Sequence, residues 1–294
     1  MTAAGAGTAG VLAVIALTGF VGFEQSPVLS EEAKNPRRTI PAATYTAVAA
    51  AALLYAAAAW VMAVHAGRSH VVAAAAAQGP ALLYTLTSSG ALAQTAQLLF
   101  MTSLFAAALS YHNVTWRYMF SLSREGVLPA ALSRTSRNSI PRAASITQSA
   151  SGLVVIGLFA IFGWPPMTGL FFGGGATGGL GVMILLAITS AGIVRYFDRA
   201  PGAESVWTRM TAPALSALLL AGAVVLAIMH YGTQLGTAPD NPAAWLLPSA
   251  YGFAAAAGLA WGIVLKRRRP GVYATIGLGH HAVQAAAAAR GAAS

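Results

Sequence analysis

Long uncharged apolar runs alternate with short polar or basic segments along this chain. Crossing a hydrocarbon core of about 30 Å takes roughly 20 mostly apolar residues in a helix. Six windows meet that length without a single Asp, Glu, Lys or Arg: 42–64, 91–115, 143–163, 170–194, 212–231 and 243–265. A seventh window, 9–29, is weaker. Its clean apolar run stops at Phe23, and Thr18, Gly19, Gly22, Glu24 and Pro27 interrupt it. About 15 residues of uninterrupted helix rise about 22 Å, too little to span alone. The pattern predicts an all-α integral membrane protein with seven transmembrane helices. They form a single transmembrane domain over 1–294, ending in a basic and then Ala-rich tail at 266–294.

Composition narrows the class. Of the 294 residues, 57% are hydrophobic and 8% charged, the latter about a third of the share in soluble domains. A soluble fold could not cover that much apolar surface, and disordered chains are polar and charge-rich. The absence of Cys excludes disulfides, thiolate metal sites and a Cys nucleophile. The N-terminus has no basic residue ahead of its apolar run, so it does not read as a cleaved secretory signal.

The net charge of +10 has a topological explanation. Lys34, Arg37 and Arg38 follow the first span and Arg68 alone the second. Arg117, Arg124, Arg134, Arg137 and Arg142 follow the third, Arg195, Arg199 and Arg209 the fifth, and Lys266, Arg267, Arg268, Arg269 and Arg290 the last. Alternate loops thus place 16 of the 17 Lys and Arg on one side. The positive-inside rule puts that side in the cytoplasm, which predicts a multipass plasma-membrane protein with its N-terminus outside and its C-terminus cytoplasmic. Counting 71–88 as an eighth span would reduce the split to 14 against 3. Gly79-Pro80 also breaks that stretch, so it is expected as an external loop with a short surface helix. Basic residues at helix ends suit an anionic inner leaflet. They give no continuous basic reading face, so nucleic acid is not an expected partner.

Chemistry concentrates in the weak first window, Thr18-Gly19-Phe20-Val21-Gly22-Phe23-Glu24-Gln25-Ser26-Pro27. Two glycines and a proline weaken the helix, and a carboxylate at membrane depth costs at least about 2.5 kcal/mol unless paired or hydrated. A broken helix with an ionisable residue beside the break points to a transporter site. The alternative is a Gly-rich packing face with a Glu near the cytoplasmic end.

Two ordered motifs then give a resemblance. Gly22-Phe23-Glu24 is followed by Ser30-Glu31-Glu32-Ala33-Lys34-Asn35-Pro36-Arg37-Arg38-Thr39-Ile40-Pro41. Further on, Arg117-Tyr118-Met119-Phe120 precedes Ser123-Arg124-Glu125-Gly126-Val127-Leu128-Pro129, with Pro141 beyond. The chain resembles the amino acid–polyamine–organocation permeases from their sixth to their twelfth helix. The resemblance implies a partial leucine-transporter-like inverted-repeat fold lacking the first repeat. It implies secondary-active transport of amino acids or related amines by alternating access, with a proton or sodium ion as coupling partner and no cofactor. Substrate-binding residues would be Gly19, Phe20, Val21, Gly22, Phe23 and Glu24. Thr18 departs from the family, some of whose members place a bulky aromatic gate there. With the first five helices missing from the pattern, the chain is expected to be part of a longer permease or to need a complementing N-terminal half. The alternative is a non-transporting remnant or accessory half.

Other polar positions carry weaker expectations. Glu31, Glu32, Lys34, Arg37 and Arg38 have the spacing to pair within one loop. Ser103 and Ser110 share a helix face, fitting either a cation site or interhelical hydrogen bonds. His112 and Asn113 read as interfacial. The Gly174–Gly178 and Gly175–Gly179 spacings suggest close helix packing or a hinge. His280-His281 has no third ligand nearby, so a metal site is not expected. No catalytic motif appears, and an enzyme is not expected.

Overall fold

The computed structural model describes residues 3–30, 32–67, 69–87, 89–136, 141–200, 202, 204–236 and 241–278. Every regular element among them is helical: α1 (Ala3–Gly19), α2 (Pro36–Ala66), α3 (Val71–Gln78), α4 (Gly90–Arg124), α5 (Arg142–Phe162), α6 (Gly174–Arg199), α7 (Ala212–Met229), α8 (Tyr231–Gln234), α9 (Ala243–Arg268) and α10 (Pro270–Thr275). Seven segments are long and apolar enough to cross a membrane: Gly10–Leu29, Pro36–Ala66, Gly90–Arg124, Arg142–Phe162, Met167–Arg199, Trp207–Met229 and Ala243–Arg268. Large apolar side chains face outward along them, including Leu53 at 73% exposure and Ile161 at 79%. That suits lipid as the solvent, because helices satisfy their own main chain.

Several helices outrun the apolar windows that predict them. Pro36 starts α2 at the position where proline's missing N–H costs nothing. α4 runs on to Arg124 and closes when Val127 N–H reaches back to the Leu122 carbonyl at 2.9 Å, with Gly126 at φ 81°. Such a left-handed residue after a last turn is a common helix stop. The stretch after α2 forms α3 and a 3-10 run, Gly79–Leu86, broken at Gly79 with φ 54°.

The chain divides into two compact units. The first comprises 1–21 and 154–273. Its core is Val14, Leu180, Met183, Ala223, Ala227 and Tyr231, where α1 lies against α6 and α7. A Cβ at Gly179 would sit 2.7 Å from Thr18 Cγ2, and one at Gly181 2.7 Å from the Tyr251 hydroxyl. The glycine spacing therefore needs correcting in detail, because Gly174, Gly175 and Gly178 face open space. Gly179 and Gly181, two apart and so on opposite helix faces, receive two different neighbours. A small polar knot ties this unit together. Tyr231 Oη lies 2.6 Å from Thr177 Oγ1, which donates to the Gly173 carbonyl at 2.7 Å, and the Tyr251 hydroxyl donates to the Thr177 carbonyl at 2.5 Å.

The second unit comprises 22–153 and 274–294. Here a 3-10 run, Phe23–Leu29, packs on α2 and α4. The Thr275 hydroxyl donates to the Glu125 carbonyl at 3.3 Å.

Candidate functional site

The first span is interrupted where the residues predict. After α1 stops at Gly19, the next two amides bond only three residues back: Phe20 N–H to the Leu17 carbonyl at 3.1 Å and Val21 N–H to the Thr18 carbonyl at 3.2 Å. Thr18 turns its hydroxyl into its own helix, onto the Ile15 carbonyl at 2.7 Å. Gly22 then takes φ 126° and ψ −25°, a conformation glycine enters without the steric penalty of a side chain. The chain resumes as the tighter 3-10 run, with Pro27 inside it.

The break is closed by a charge. Gly22 N–H donates to Glu24 Oε2 at 2.6 Å, a short, charge-assisted bond. It satisfies a main-chain group that lipid would leave orphaned and gives the carboxylate a partner. Gln25 N–H completes the turn onto the Gly22 carbonyl at 3.2 Å. Residues 20–26 are all half-buried. Of the six expected substrate residues, Gly19, Phe20 and Val21 end the α1 part of the first unit, while Gly22, Phe23 and Glu24 begin the second. The hydrogen bond joins Gly22 and Glu24 directly.

On the second unit's side, Gly22 opens onto a cavity of about 310 Å³. The broken segment contributes Gln25, Ser26 and Leu29 to its walls, and α4 contributes Ser110, Asn113, Val114 and Arg117. Ser110 donates to Gln25 Oε1 at 2.7 Å. A side chain on Gly22 would come within 3.6 Å of the Tyr111 hydroxyl. Two further cavities, of about 480 and 470 Å³, both have Glu32 and Arg117 in their walls. Arg117 donates to Glu32 and its guanidinium lies 4.9 Å over the Trp116 ring.

The expectation of pairing within one loop needs correcting. Glu32 pairs with Arg117, 85 positions on, because the fold brings the segment after the break against the end of α4. Glu31 lies outside the described residues. Ser110 reaches the cavity and Ser103 does not, so the two hydroxyls do not converge on one site. His112 Nε2 lies 3.1 Å from Ser149 Oγ and 3.3 Å from the Ser145 carbonyl. Gln25 and Ser26 went unassigned in the sequence, although their polarity inside an apolar window marked them. Among the described residues no three His, Asp or Glu are grouped to hold a metal. His280, His281 and the rest of the Ala-rich tail lie outside the described residues.

With this geometry in view, comparison with known proteins gives two matches. The family model described as amino acid permease matches residues 2–251, a range that holds the broken segment and all of α4. The lysine-specific permease LysP of Lactococcus lactis subsp. cremoris is 30% identical over 175 residues, covering 58% of this chain and 34% of that protein. The matched region thus spans about a third of that relative's length. No solved structure matches significantly.

Proposed function

The chain belongs to the amino acid permease family, within the amino acid–polyamine–organocation superfamily, and from that premise we propose that it carries part of a path for amino acids or related amines across the plasma membrane. The observation that carries this reading is the break at Gly22, closed by the Glu24 carboxylate and opening on a polar cavity.

The chemistry suits an ammonium group. The last turn of α1 presents the negative end of a helix dipole, and Glu24 adds a full charge next to the break. The resemblance makes Gly19, Phe20, Val21, Gly22, Phe23 and Glu24 the substrate residues, and of these Gly22 stands in the wall of the cavity beside the break. A cavity of about 310 Å³ lies within the usual range for small-molecule sites. The family resemblance puts the main-chain grip on the substrate carboxylate in the first five helices, and a complementing half, in the same polypeptide or a partner, supplies it. Alternating access follows when the first span and α2 rock against α4 and α5, driven by a coupling proton or sodium ion. The basic loops lie in the cytoplasm, the N-terminus outside and the C-terminus inside. The basic and Ala-rich segment from Lys266 is a cytoplasmic tail on a single transmembrane domain. The protein acts as a transporter and not as an enzyme.

The test is uptake of labelled amino acids by cells deficient in it. The chain is expressed alone and together with the first five helices of a family permease. We expect uptake from the pair that Glu24→Gln reduces at least about tenfold, the loss of one charge-assisted contact. Uptake from neither arrangement would contradict the proposal and favour a non-transporting remnant.

A further inference from the structure

A second concave feature lies away from the broken segment, within the first unit. It is a groove of about 590 Å³ between α9 and Ile188 of α6. Leu259 and Ile263 wall it, and Gly258 and Gly262 lower its floor. The groove runs along α9 from Ala255 to Lys266, a rise of about 16 Å, which is the depth of one leaflet of a 30 Å hydrocarbon core. Its apolar end thus reaches the bilayer midplane when its basic end sits at headgroup level.

The mouth carries the charge. Lys266 Nζ sits 5.9 Å over the Tyr273 ring, and Arg267, Arg268 and Arg269 follow it directly. Among the described residues no carboxylate forms an ion pair with any of these four. An aromatic face attracts the ammonium without neutralising it, so the cation stays available to an anion at the groove mouth.

We propose that this groove is a binding site for one anionic phospholipid, with an acyl chain along Gly258 and Gly262 and its phosphate on Lys266. Ordinary annular lipid needs neither the recess nor the charge. The combination of an apolar slot one leaflet deep with an uncompensated basic mouth fits an acyl chain under an anionic headgroup. A second copy of this chain, set the same way in the membrane, would bring its own Lys266 to the same mouth, and like charges there repel.

The glycines make the site testable. A Cβ at Gly258 or Gly262 meets no atom within 4 Å, so the side chain of Gly262→Leu starts from open space at the groove floor. The full chain, purified in detergent, is titrated with phosphatidylglycerol or phosphatidylcholine, and retained lipid is counted by native mass spectrometry. We expect one saturable phosphatidylglycerol per chain, held about fivefold better than phosphatidylcholine, the preference one basic residue gives. Lys266→Gln should abolish that preference, and Gly262→Leu should remove the saturable lipid while circular dichroism stays helical. Equal retention of both lipids, unsaturable binding, or unchanged retention by Gly262→Leu would overturn the proposal. So would a chain dimer that Gly262→Leu dissociates. If Gly262→Leu does not fold, the Lys266→Gln comparison decides alone. None of these readouts involves transport, so the outcome is independent of uptake.

Discussion

Gly22 and Glu24 make the break. A side chain at φ 126° meets strain of roughly 1–3 kcal/mol, and here its Cβ would also approach the Tyr111 hydroxyl at 3.6 Å. Gly22→Ala should therefore lower the thermal unfolding midpoint in detergent. Gly152→Ala, mid-helix with no atom within 4 Å of the new Cβ, should hold or raise that midpoint, with a stability gain of up to about 1 kcal/mol. Glu24 serves two roles that separate cleanly. Glu24→Ala strands the Gly22 amide and should cost about 1–3 kcal/mol of stability. Glu24→Gln keeps an acceptor oxygen for that amide but drops the charge, so stability should stay near that of the wild type while affinity for a cationic amino group falls. Equal loss of stability in both variants would leave Glu24 a purely structural cap.

The helices themselves were largely legible, because lipid imposes a length and a polarity that few sequences meet by accident. The six charge-free windows became helices, and the seventh broke at the glycine and beside the carboxylate that marked it. What the sequence left hidden depends on which elements meet. Nothing local to Glu32 names Arg117 as its partner, and no spacing rule separates Gly179, pressed on Thr18, from Gly178, which faces open space. Contacts of this kind exist only after the chain is folded. The difference can be measured: Gly179→Val should cost at least about 2 kcal/mol by forcing α1 off α6, while Gly178→Ala should change stability by less than about 1 kcal/mol. The Glu32–Arg117 pair is partly exposed, with side chains 59% and 24% accessible. A double-mutant cycle on it should give a coupling of about 1 kcal/mol or less.

For the molecule as a whole, the question is whether a solute enters the membrane at the broken segment. The chain has no cysteine, so a single introduced thiol reports on its own surroundings. Phe20→Cys at the break is compared with Leu53→Cys on the apolar helix α2, where Leu53 is 73% exposed and suited to face lipid. Both are placed in the full chain, in cells where uptake has been established with the complementing half, and labelled with a hydrophilic thiol reagent. We expect Phe20→Cys to react, an excess of amino acid to slow that reaction severalfold, and Leu53→Cys to stay unreactive throughout. Phe20→Cys as unreactive as Leu53→Cys, or labelling that amino acids leave unchanged, would mean that the break is a kink in a membrane anchor and grips no solute.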